Sequence, residues 1–293
     1  MSAAQHRVVV AVDGGGTGCR AAVGTNADGI LAQASGKSAN VATGWDGALQ
    51  HMTDAVAEAL VKAGLGDTPL AEITAHVGVA GANSQAAVDK VAAALPYGQC
   101  TATADRETTV AGALGEADGY VLALGTGPII ASQHNGVIRH VAGWGFKLSD
   151  QAAGAWLGRR LLEEVLLAHD GMRAHSDLSH AMLASHGGLH GVIGIGADAA
   201  PGDYARLATQ IVPAAAAGDA IATALMQEGA AFLEAGLDAL GFVDGDRLSL
   251  TGGLGPKYES WLAPAYTRAI TPPRGTALQG AFALACKAAK VPA

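Results

Sequence analysis

The residues best suited to chemistry lie at the end of a short apolar run near the start of the chain. Val8–Val12 is a run of valine and alanine typical of a buried strand, and Asp13 follows it directly. A glycine-rich turn that carries one hydroxyl comes next, Gly14-Gly15-Gly16-Thr17-Gly18. Backbone N–H groups of such a turn can hold phosphate, and the carboxylate can place Mg²⁺. The stretch therefore predicts a nucleotide-phosphate site, with a plain hairpin as the alternative.

The glycine turn leads into a strand and not into a helix. Asn26-Ala27-Asp28-Gly29 separates the apolar runs Ala21–Thr25 and Ile30–Ala34, and Asp-Gly in this setting is typical of a tight hairpin. A Rossmann dinucleotide fingerprint needs its glycines to open a helix, and Cys19 stands where its third glycine would fall. That class of nucleotide site is therefore excluded.

The same pattern recurs near the middle of the chain. The apolar run Tyr120–Leu124 leads into Gly125-Thr126-Gly127, and two more strand-like runs follow, joined by the turn His134-Asn135-Gly136. Gly16-Thr17-Gly18 and Gly125-Thr126-Gly127 thus occupy equivalent places in two similar units. The shared context favours duplication over chance, and it predicts two related domains whose glycine turns point into one cleft.

Strands and helices alternate in the rest of the chain. This order, after an antiparallel hairpin, predicts an α/β protein with mixed sheets. We expect an N-terminal domain at 1–116, a C-terminal domain at 117–293, and a last helix near 276–293 that can return to the first domain. The other predicted elements are helices at 45–63, 84–95, 149–169 and 219–240 and strands at 73–80, 100–104 and 247–251.

The amino-acid composition limits the classes of protein to which the chain can belong. The chain has 293 residues, and half of them are hydrophobic, which is enough for two domains with their own cores. Its net charge of −8 and the lack of a basic cluster argue against a nucleic-acid-binding protein. No apolar run reaches the ~20 residues of a membrane span, and no signal peptide opens the chain. We expect a soluble, cytoplasmic protein with reduced thiols at its three cysteines.

Asp105 is the second carboxylate that the pattern places at a strand end. Phosphoryl transfer requires an aligned acceptor hydroxyl and one carboxylate that accepts its proton, and Asp105 could supply that carboxylate. Asp105-Arg106-Glu107 could equally be the cap and first turn of a helix, because the residues from Thr108 onward have helical character. A helix cap and a catalytic base are compatible roles for one aspartate.

Four ordered motifs carry a resemblance that covers nearly the whole chain: Asp13-Gly-Gly-Gly-Thr17-Gly-x-Arg20, Leu124-Gly-Thr-Gly127, Gly143-Trp144-Gly145 and Thr251-Gly-Gly-Leu-Gly255. They resemble the N-acetylglucosamine kinases and the BadF/BcrA-type ATPases of the sugar kinase, heat-shock protein and actin superfamily. The resemblance implies two duplicated actin-like (ribonuclease H-like) domains, each with a mixed five-stranded sheet flanked by helices, and a nucleotide in the interdomain cleft. It implies an ATP- and Mg²⁺-dependent kinase, expected as a homodimer, that phosphorylates the 6-hydroxyl of N-acetylglucosamine.

The resemblance also implies roles for single residues. Asp13 would hold Mg²⁺ through water, and Asp105 would be the catalytic base. The implied nucleotide-binding residues are Gly15, Gly16, Thr17, Arg20, Gly125, Thr126, Gly127, Gly252, Gly253 and Gly255. The implied sugar-binding residues are Asn40, Ala80, Gly81, Asp105, Trp144, Gly145 and Asp150.

Two of these sugar positions have structural alternatives. Trp144 could fill the core at a strand end, and Asp150 or Ser149 could cap the helix predicted at 149–169. Two departures from the family bear on the acceptor: animal members carry serine at the position of Ala80, and relatives commonly carry glutamate at the position of Gln151. Both departures leave unacetylated glucosamine as an alternative acceptor.

The sequence argues against functions of two other classes. An activator ATPase of a reductase would hold an iron–sulfur cluster through cysteines, and Cys19, Cys100 and Cys286 offer no suitable pair. A sugar-sensing regulator would need a DNA-binding domain, and only seven residues precede the first strand. Five of the ten histidines fall within residues 169–190, which we interpret as a solvated, loop-rich connector, with metal binding as the alternative.

Overall fold

The computed structural model describes residues 7–290, apart from the side chain of Asp198. The chain divides into two compact units. Unit 1 comprises the chain up to Ala117 together with the segment from Pro273 onward, and unit 2 is Asp118–Pro272. Each unit is built around its own mixed sheet, so the α/β class predicted from the sequence is confirmed.

The sheet of unit 1 has five strands in the order β3-β2-β1-β4-β5. The first three strands form an antiparallel meander, and β4 and β5 continue the sheet parallel to β1. The central strand β1 is apolar on both faces because both are covered, so it appears in the sequence as a continuous run of valine and alanine. The strands are β1 (Val8–Gly14), β2 (Cys19–Thr25), β3 (Gly29–Gly36), β4 (Thr74–Val79) and β5 (Gln99–Ala104).

Helices α1 (Trp45–Lys62) and α2 (Gln85–Ala94) connect the strands of this unit, and α3 (Asp105–Leu114) follows the last strand, β5. Ser84, the first residue of the helix predicted at 84–95, caps α2, since its hydroxyl oxygen accepts the N–H of Ala87 at 3.2 Å. Asp105 does not cap α3. The N-cap residue is Ala104, and Asp105 is the first residue of the helix, so its carboxylate is not used in capping.

The sheet of unit 2 repeats the meander but has four strands, in the order β8-β7-β6-β9, where five were predicted. The fifth strand is reduced to a single parallel bridge between Leu248 and Ile270. The chain after β9 winds into a 3-10 turn and a short helix, and it returns to the sheet edge at that one position. The strands are β6 (Gly119–Leu124), β7 (Pro128–His134), β8 (Val137–Val141) and β9 (Leu248–Thr251).

Helices fill most of unit 2 between β8 and β9. The first of them begins at Gly154, five residues later than predicted, because Asp150 and Ala152 adopt positive φ angles that a helix cannot contain. The helix predicted at 219–240 is confirmed, with Asp219 as its N-cap. The helices between β8 and β9 are α4 (Gly154–His169), α5 (Asp177–Ser185), α6 (Leu189–Asp198), α7 (Pro201–Ala216) and α8 (Ala220–Ala239), and the short helix α9 (Pro264–Thr267) follows β9.

The histidine-rich segment contains α5 and the start of α6, so it is less rich in loops than predicted, although four of its five histidines are exposed. Ser176 and Ser179 form a reciprocal cap that starts α5, and Gly187 and Gly188, both at positive φ, separate α5 from α6. Between residues 7 and 290, no three His, Cys, Asp or Glu side chains come together as a metal site. No helix in that range is long and apolar enough to span a membrane.

The last helix, α10 (Ala277–Ala289), packs on unit 1 against β1 and α3. Thr276 caps it, because its hydroxyl accepts the N–H of Gln279 while the Gln279 amide oxygen accepts the N–H of Thr276. The crossing with α3 depends on glycine. A Cβ at Gly112 would lie 2.1 Å from the carbonyl oxygen of Thr276, so the two helices could not approach as closely with any other residue there.

Candidate functional site

The carboxyl ends of β1, β4 and β5 lie at one edge of the unit 1 sheet, because these three strands are parallel. Asp13 lies at the end of β1, directly opposite Arg20 on β2. The Arg20 guanidinium pairs with the Asp13 carboxylate at 2.5 Å. This ion pair fixes the orientation of Asp13, whose side chain is mostly buried while that of Arg20 is largely exposed.

Hydrogen bonds to its carbonyl groups hold the glycine turn after β1 in place. The Gly15 N–H donates to the Gly18 carbonyl, and the Gly15 carbonyl accepts the N–H of Ala39 at 3.0 Å. The Ser38 hydroxyl donates to the Gly16 carbonyl at 2.8 Å. Gly16 and Thr17 are exposed, and within residues 7–290 their backbone N–H groups have no protein acceptor. The turn therefore presents amide donors and a threonine hydroxyl to solvent, as a phosphate site requires.

Asp105 lies at the end of β5, on the same edge of the sheet as Asp13. Burial, together with the negative charges of Asp13 and Glu107, raises the pKa of its carboxyl to about 6, while the positive charge of Arg106 opposes the shift. The Asp105 carbonyl accepts the hydroxyls of Thr108 and Thr109, which anchors the first turn of α3. A carboxyl held in this way is ionised at neutral pH and is a stronger base than an ordinary aspartate.

Three of the predicted sugar positions come together beside the end of β4. Asn40 and Ala80 form a parallel bridge, and the Ala80 N–H donates to the Gly14 carbonyl at 2.7 Å, which links this corner to the glycine turn. Gly81 has a φ of +85°, and a Cβ there would lie 2.4 Å from the Asn40 side-chain oxygen. Only glycine fits this position without moving Asn40.

The second glycine turn, in unit 2, sits on the first N–H groups of α4. The Gly125 carbonyl accepts the N–H of Gly154 at 2.8 Å, and the Thr126 carbonyl accepts the N–H of Ala155 at 3.2 Å. The Leu124 carbonyl, one residue earlier, accepts the N–H of Leu254. The structure thus brings the second predicted phosphate turn together with the turn Gly252–Gly255.

The contact between the end of β6 and the turn Gly252–Gly255 requires glycine at position 252. Its φ is +75°, and a Cβ would lie 2.4 Å from the Leu124 carbonyl oxygen. The turn after β9 can therefore lie directly against the end of β6 only if this residue has no side chain.

Neither Trp144 nor Asp150 has the purely structural role that the sequence offered as its alternative, core filling for Trp144 and a helix cap for Asp150. Trp144 is 62% exposed, so it does not fill the core. Asp150 does not cap α4: it has a φ of +68°, is only 8% exposed, and accepts the Gly145 N–H on its carboxylate at 3.0 Å. Ser149 does not cap α4 either, since Ala153 occupies the N-cap position. Burial raises the pKa of Asp150, and the bond from Gly145 partly offsets this.

Sequence reasoning missed two residues that support these turns. Ser38 braces the first glycine turn through the Gly16 carbonyl, and the Tyr258 hydroxyl donates to the Ala152 carbonyl at 2.9 Å. Neither residue belongs to a motif or to a periodic pattern. Their roles depend on contacts with distant parts of the chain, so no local signal could have revealed them.

The duplicated meander, with a glycine turn after the first strand of each unit, defines the fold of an actin-like ATPase. A solved structure of a proposed N-acetylglucosamine kinase from Chromobacterium violaceum is similar to this chain with a TM-score of 0.90 and 31% identity, over 96% of this chain and 99% of that one. The ROK family glucokinase of Streptomyces griseus, solved with glucose and AMPPNP, shares the fold at a TM-score of 0.60 and 19% identity, over 96% of this chain and 99% of that one.

The sequence agrees with the fold. The chain belongs to the BadF/BadG/BcrA/BcrD ATPase family, whose model matches residues 10–268. It is 32% identical to the glucosamine kinase GspK of Vibrio cholerae over 281 residues, and the aligned residues cover 95% of each chain. The family predicted from the four motifs is therefore confirmed.

Proposed function

We propose that the protein is an ATP-dependent amino-sugar kinase that phosphorylates the 6-hydroxyl of its acceptor, with glucosamine as the preferred acceptor. Its enzyme class is that of the sugar kinases, phosphotransferases with an alcohol acceptor. One observation carries the proposal for this chain. Asp105 is a carboxylate with a raised pKa, held at the sheet edge that also carries Asn40, Ala80 and Gly81.

Asp105 would act as the general base. The acceptor O6 forms a bond to the γ-phosphorus while Asp105 accepts the hydroxyl proton. The bond between the γ-phosphorus and the β–γ bridging oxygen breaks, and ADP leaves with the electron pair. Because the transition state is loose, alignment of the hydroxyl contributes more than its full deprotonation. Asp105 then returns the proton to solvent.

The remaining turns would hold the nucleotide. The N–H groups of Gly16 and Thr17 would donate to phosphate oxygens, and Gly125–Gly127 and Gly252–Gly255 would contribute the second phosphate turn and the floor under adenosine. The Asp13 carboxylate suits Mg²⁺, which prefers oxygen ligands and usually keeps several waters. When bound, Mg²⁺ would neutralise charge on the phosphate oxygens. Asp13, fixed by Arg20, is the residue that would hold it through water.

The choice of acceptor depends on the two departures from the family. Ala80 presents a methyl group where animal relatives have a hydroxyl, so it cannot donate to an acetamide. Gln151 is engaged by the Ser149 hydroxyl at 3.1 Å through its amide oxygen. The relative at 32% identity is a glucosamine kinase. These observations favour glucosamine over the N-acetylglucosamine that the resemblance alone implies.

A coupled assay of ADP release tests the function and the acceptor together. Glucose, glucosamine, N-acetylglucosamine and N-acetylmuramic acid are compared with a reaction that lacks sugar. We expect kcat/KM for glucosamine to exceed that for N-acetylglucosamine by about tenfold, the effect of one or two mismatched polar groups. A higher value for N-acetylglucosamine would overturn the acceptor assignment. ADP release that no sugar stimulates would overturn the kinase proposal and favour an activator ATPase.

The raised pKa of Asp105 predicts the pH dependence of turnover. Below pH 6 the carboxyl is protonated and cannot accept the hydroxyl proton, so kcat/KM should fall tenfold per pH unit below about 6. The measurement uses N-acetylglucosamine or glucose, because neither sugar has an amine that titrates. A profile that stays flat down to pH 4.5 would show that no base with a raised pKa limits the reaction.

A further inference from the structure

Tyr258 forms a buried bond between two segments of unit 2 that are far apart in sequence. It lies in the 3-10 turn Gly255–Trp261, is 0% exposed, and donates its hydroxyl to the Ala152 carbonyl, 106 residues away, at 2.9 Å. Gly229 on α8 leaves room for it, since a Cβ there would lie 2.2 Å from the Tyr258 hydroxyl. The hydroxyl therefore occupies a fitted position and has little freedom to move.

The acceptor of this bond ends a strained loop. We call residues 142–152 the acceptor loop, because it contains Trp144, Gly145 and Asp150. Three of its non-glycine residues have positive φ: Ala142 at 60°, Asp150 at 68° and Ala152 at 67°. Such conformations persist only where the surroundings fix them. At Ala152, which is fully buried, the bond from Tyr258 supplies that constraint.

The acceptor loop also has an internal network of hydrogen bonds, and this network depends on the position of Ala152 at the end of the loop. The Asp150 carboxylate accepts the Gly145 N–H, and the Gly145 carbonyl accepts the N–H groups of Leu148 and Ser149 at 3.0 and 2.8 Å. Asp150 is only two residues from Ala152. A shift of the Ala152 carbonyl would therefore move Asp150 and loosen its bond to Gly145.

The other end of the link is the turn that would lie under adenosine. Tyr258 follows Gly255 by three residues, and Leu254 is fixed to the end of β6 by its bond to the Leu124 carbonyl. The turn Gly252–Gly255 and the acceptor loop are thus connected through Tyr258, by the buried hydrogen bond from its hydroxyl to the Ala152 carbonyl. A nucleotide that orders the turn would also favour the loop conformation that holds Asp150.

We propose that Tyr258 is a positioning residue that couples the nucleotide turn to the acceptor loop, so that a bound nucleotide strengthens acceptor binding. The coupling rests on the proposed function, whereas the mechanical link between Tyr258 and the loop does not. Removal of the hydroxyl would leave the Ala152 carbonyl buried without a donor and would release the constraint on its backbone.

The test compares Tyr258→Phe with Tyr266→Phe. Tyr266 is in the same unit and also donates its hydroxyl, to Asp238, but it makes no bond to the acceptor loop. Hydrogen exchange of peptides covering residues 142–152 measures the link without any substrate. We expect the amides of Gly145, Leu148 and Ser149 to exchange about tenfold faster in Tyr258→Phe than in wild type, and at the wild-type rate in Tyr266→Phe. Equal exchange in all three proteins would overturn the link.

Kinetics and binding measure the coupling. In Tyr258→Phe we expect KM for the acceptor at saturating ATP to rise about tenfold, while kcat stays within threefold of wild type. Because a binding coupling is reciprocal, KM for ATP at saturating acceptor should rise by a similar factor. A non-hydrolysable ATP analogue should strengthen acceptor binding in wild type and in Tyr266→Phe but much less in Tyr258→Phe. An analogue effect that is as large in Tyr258→Phe as in wild type would overturn the coupling. Failure of the kinase proposal is recognised separately, because wild type would then show no sugar-dependent ADP release.

Discussion

Replacement of Asp105 by asparagine is expected to lower kcat for amino-sugar phosphorylation by about 10³-fold, within the range that a general base contributes. Asparagine keeps the size of the side chain but cannot accept the hydroxyl proton. The nucleotide contacts assigned to the glycine turns are untouched, so the affinity for ATP should change little. ADP release at saturating acceptor and ATP measures the loss.

The same variant should fold at least as stably as wild type. Burial raises the pKa of Asp105 in the folded protein to about 6, so the stability gained from its proton is lost as pH rises through that value. At pH 7.5 wild type carries the cost of a buried, ionised carboxylate, and asparagine does not. We therefore expect an unchanged or higher Tm together with the loss of activity, a combination that a merely structural role would not give.

Glu107→Gln is the matched control for this prediction. Glu107 is two residues further along the first turn of α3 and pairs with Arg106. Its replacement removes the same charge from the same helix, and we expect kcat within threefold of wild type. If Asp105→Asn kept more than a tenth of wild-type kcat, the assignment of Asp105 as base would be wrong.

Asp13→Asn should raise the Mg²⁺ concentration that gives half-maximal activity by 10- to 100-fold, the usual effect of losing a partner that holds a metal's ligands. A second effect follows from the electrostatics of unit 1. The negative charge of Asp13 is, after burial, the largest cause of the raised pKa of Asp105. Its removal should therefore shift the acid limb of the residual activity from about pH 6 to a lower pH. Titration with Mg²⁺ and the pH profile of kcat/KM measure the two effects.

A control variant for Asp13 is available in the same unit. Asp28 lies in the turn between β2 and β3, where its carboxylate accepts the Thr25 hydroxyl at 2.8 Å. Asp28→Asn removes one negative charge from unit 1 without touching the strand-end edge, and it should leave both the Mg²⁺ titration and the acid limb unchanged. An unchanged Mg²⁺ requirement in Asp13→Asn would remove Asp13 from the metal site.

Much of the fold could be predicted because it is encoded locally. The continuous apolar run of β1 and the glycine turn that follows it are properties of short stretches of sequence, and the repeat of both at β6 revealed the duplication. The cap of α2 at Ser84 is a local signal of the same kind. The sequence placed Asp13 and Asp105 each at a strand end, whereas the parallel order of β1, β4 and β5, which brings both to one sheet edge, is seen only in the structure.

The errors arose where distant contacts decide the local structure. Asp150 has the sequence context of a helix cap, but its carboxylate is used by the Gly145 N–H, so α4 begins later. For Trp144, which lies between glycines at a strand end, nothing local could decide between an exposed loop position and the core position that was its alternative, and the structure shows it exposed. The second sheet has four strands because the chain after β9 meets it only at Ile270. The link from Tyr258 to Ala152 spans 106 residues and leaves no local pattern.

The position of the new phosphate group on the product distinguishes transfer to the 6-hydroxyl from transfer to another hydroxyl and from ATP hydrolysis. The protein is incubated with glucosamine, ATP and Mg²⁺, and the sugar product is examined by proton–phosphorus correlation NMR. Transfer from ATP to the 6-hydroxyl predicts a phosphomonoester whose phosphorus couples to the two protons on C6. A phosphorus that couples to the anomeric proton, or ADP and inorganic phosphate as the only new phosphorus species, would show that the protein does not phosphorylate the 6-hydroxyl of glucosamine.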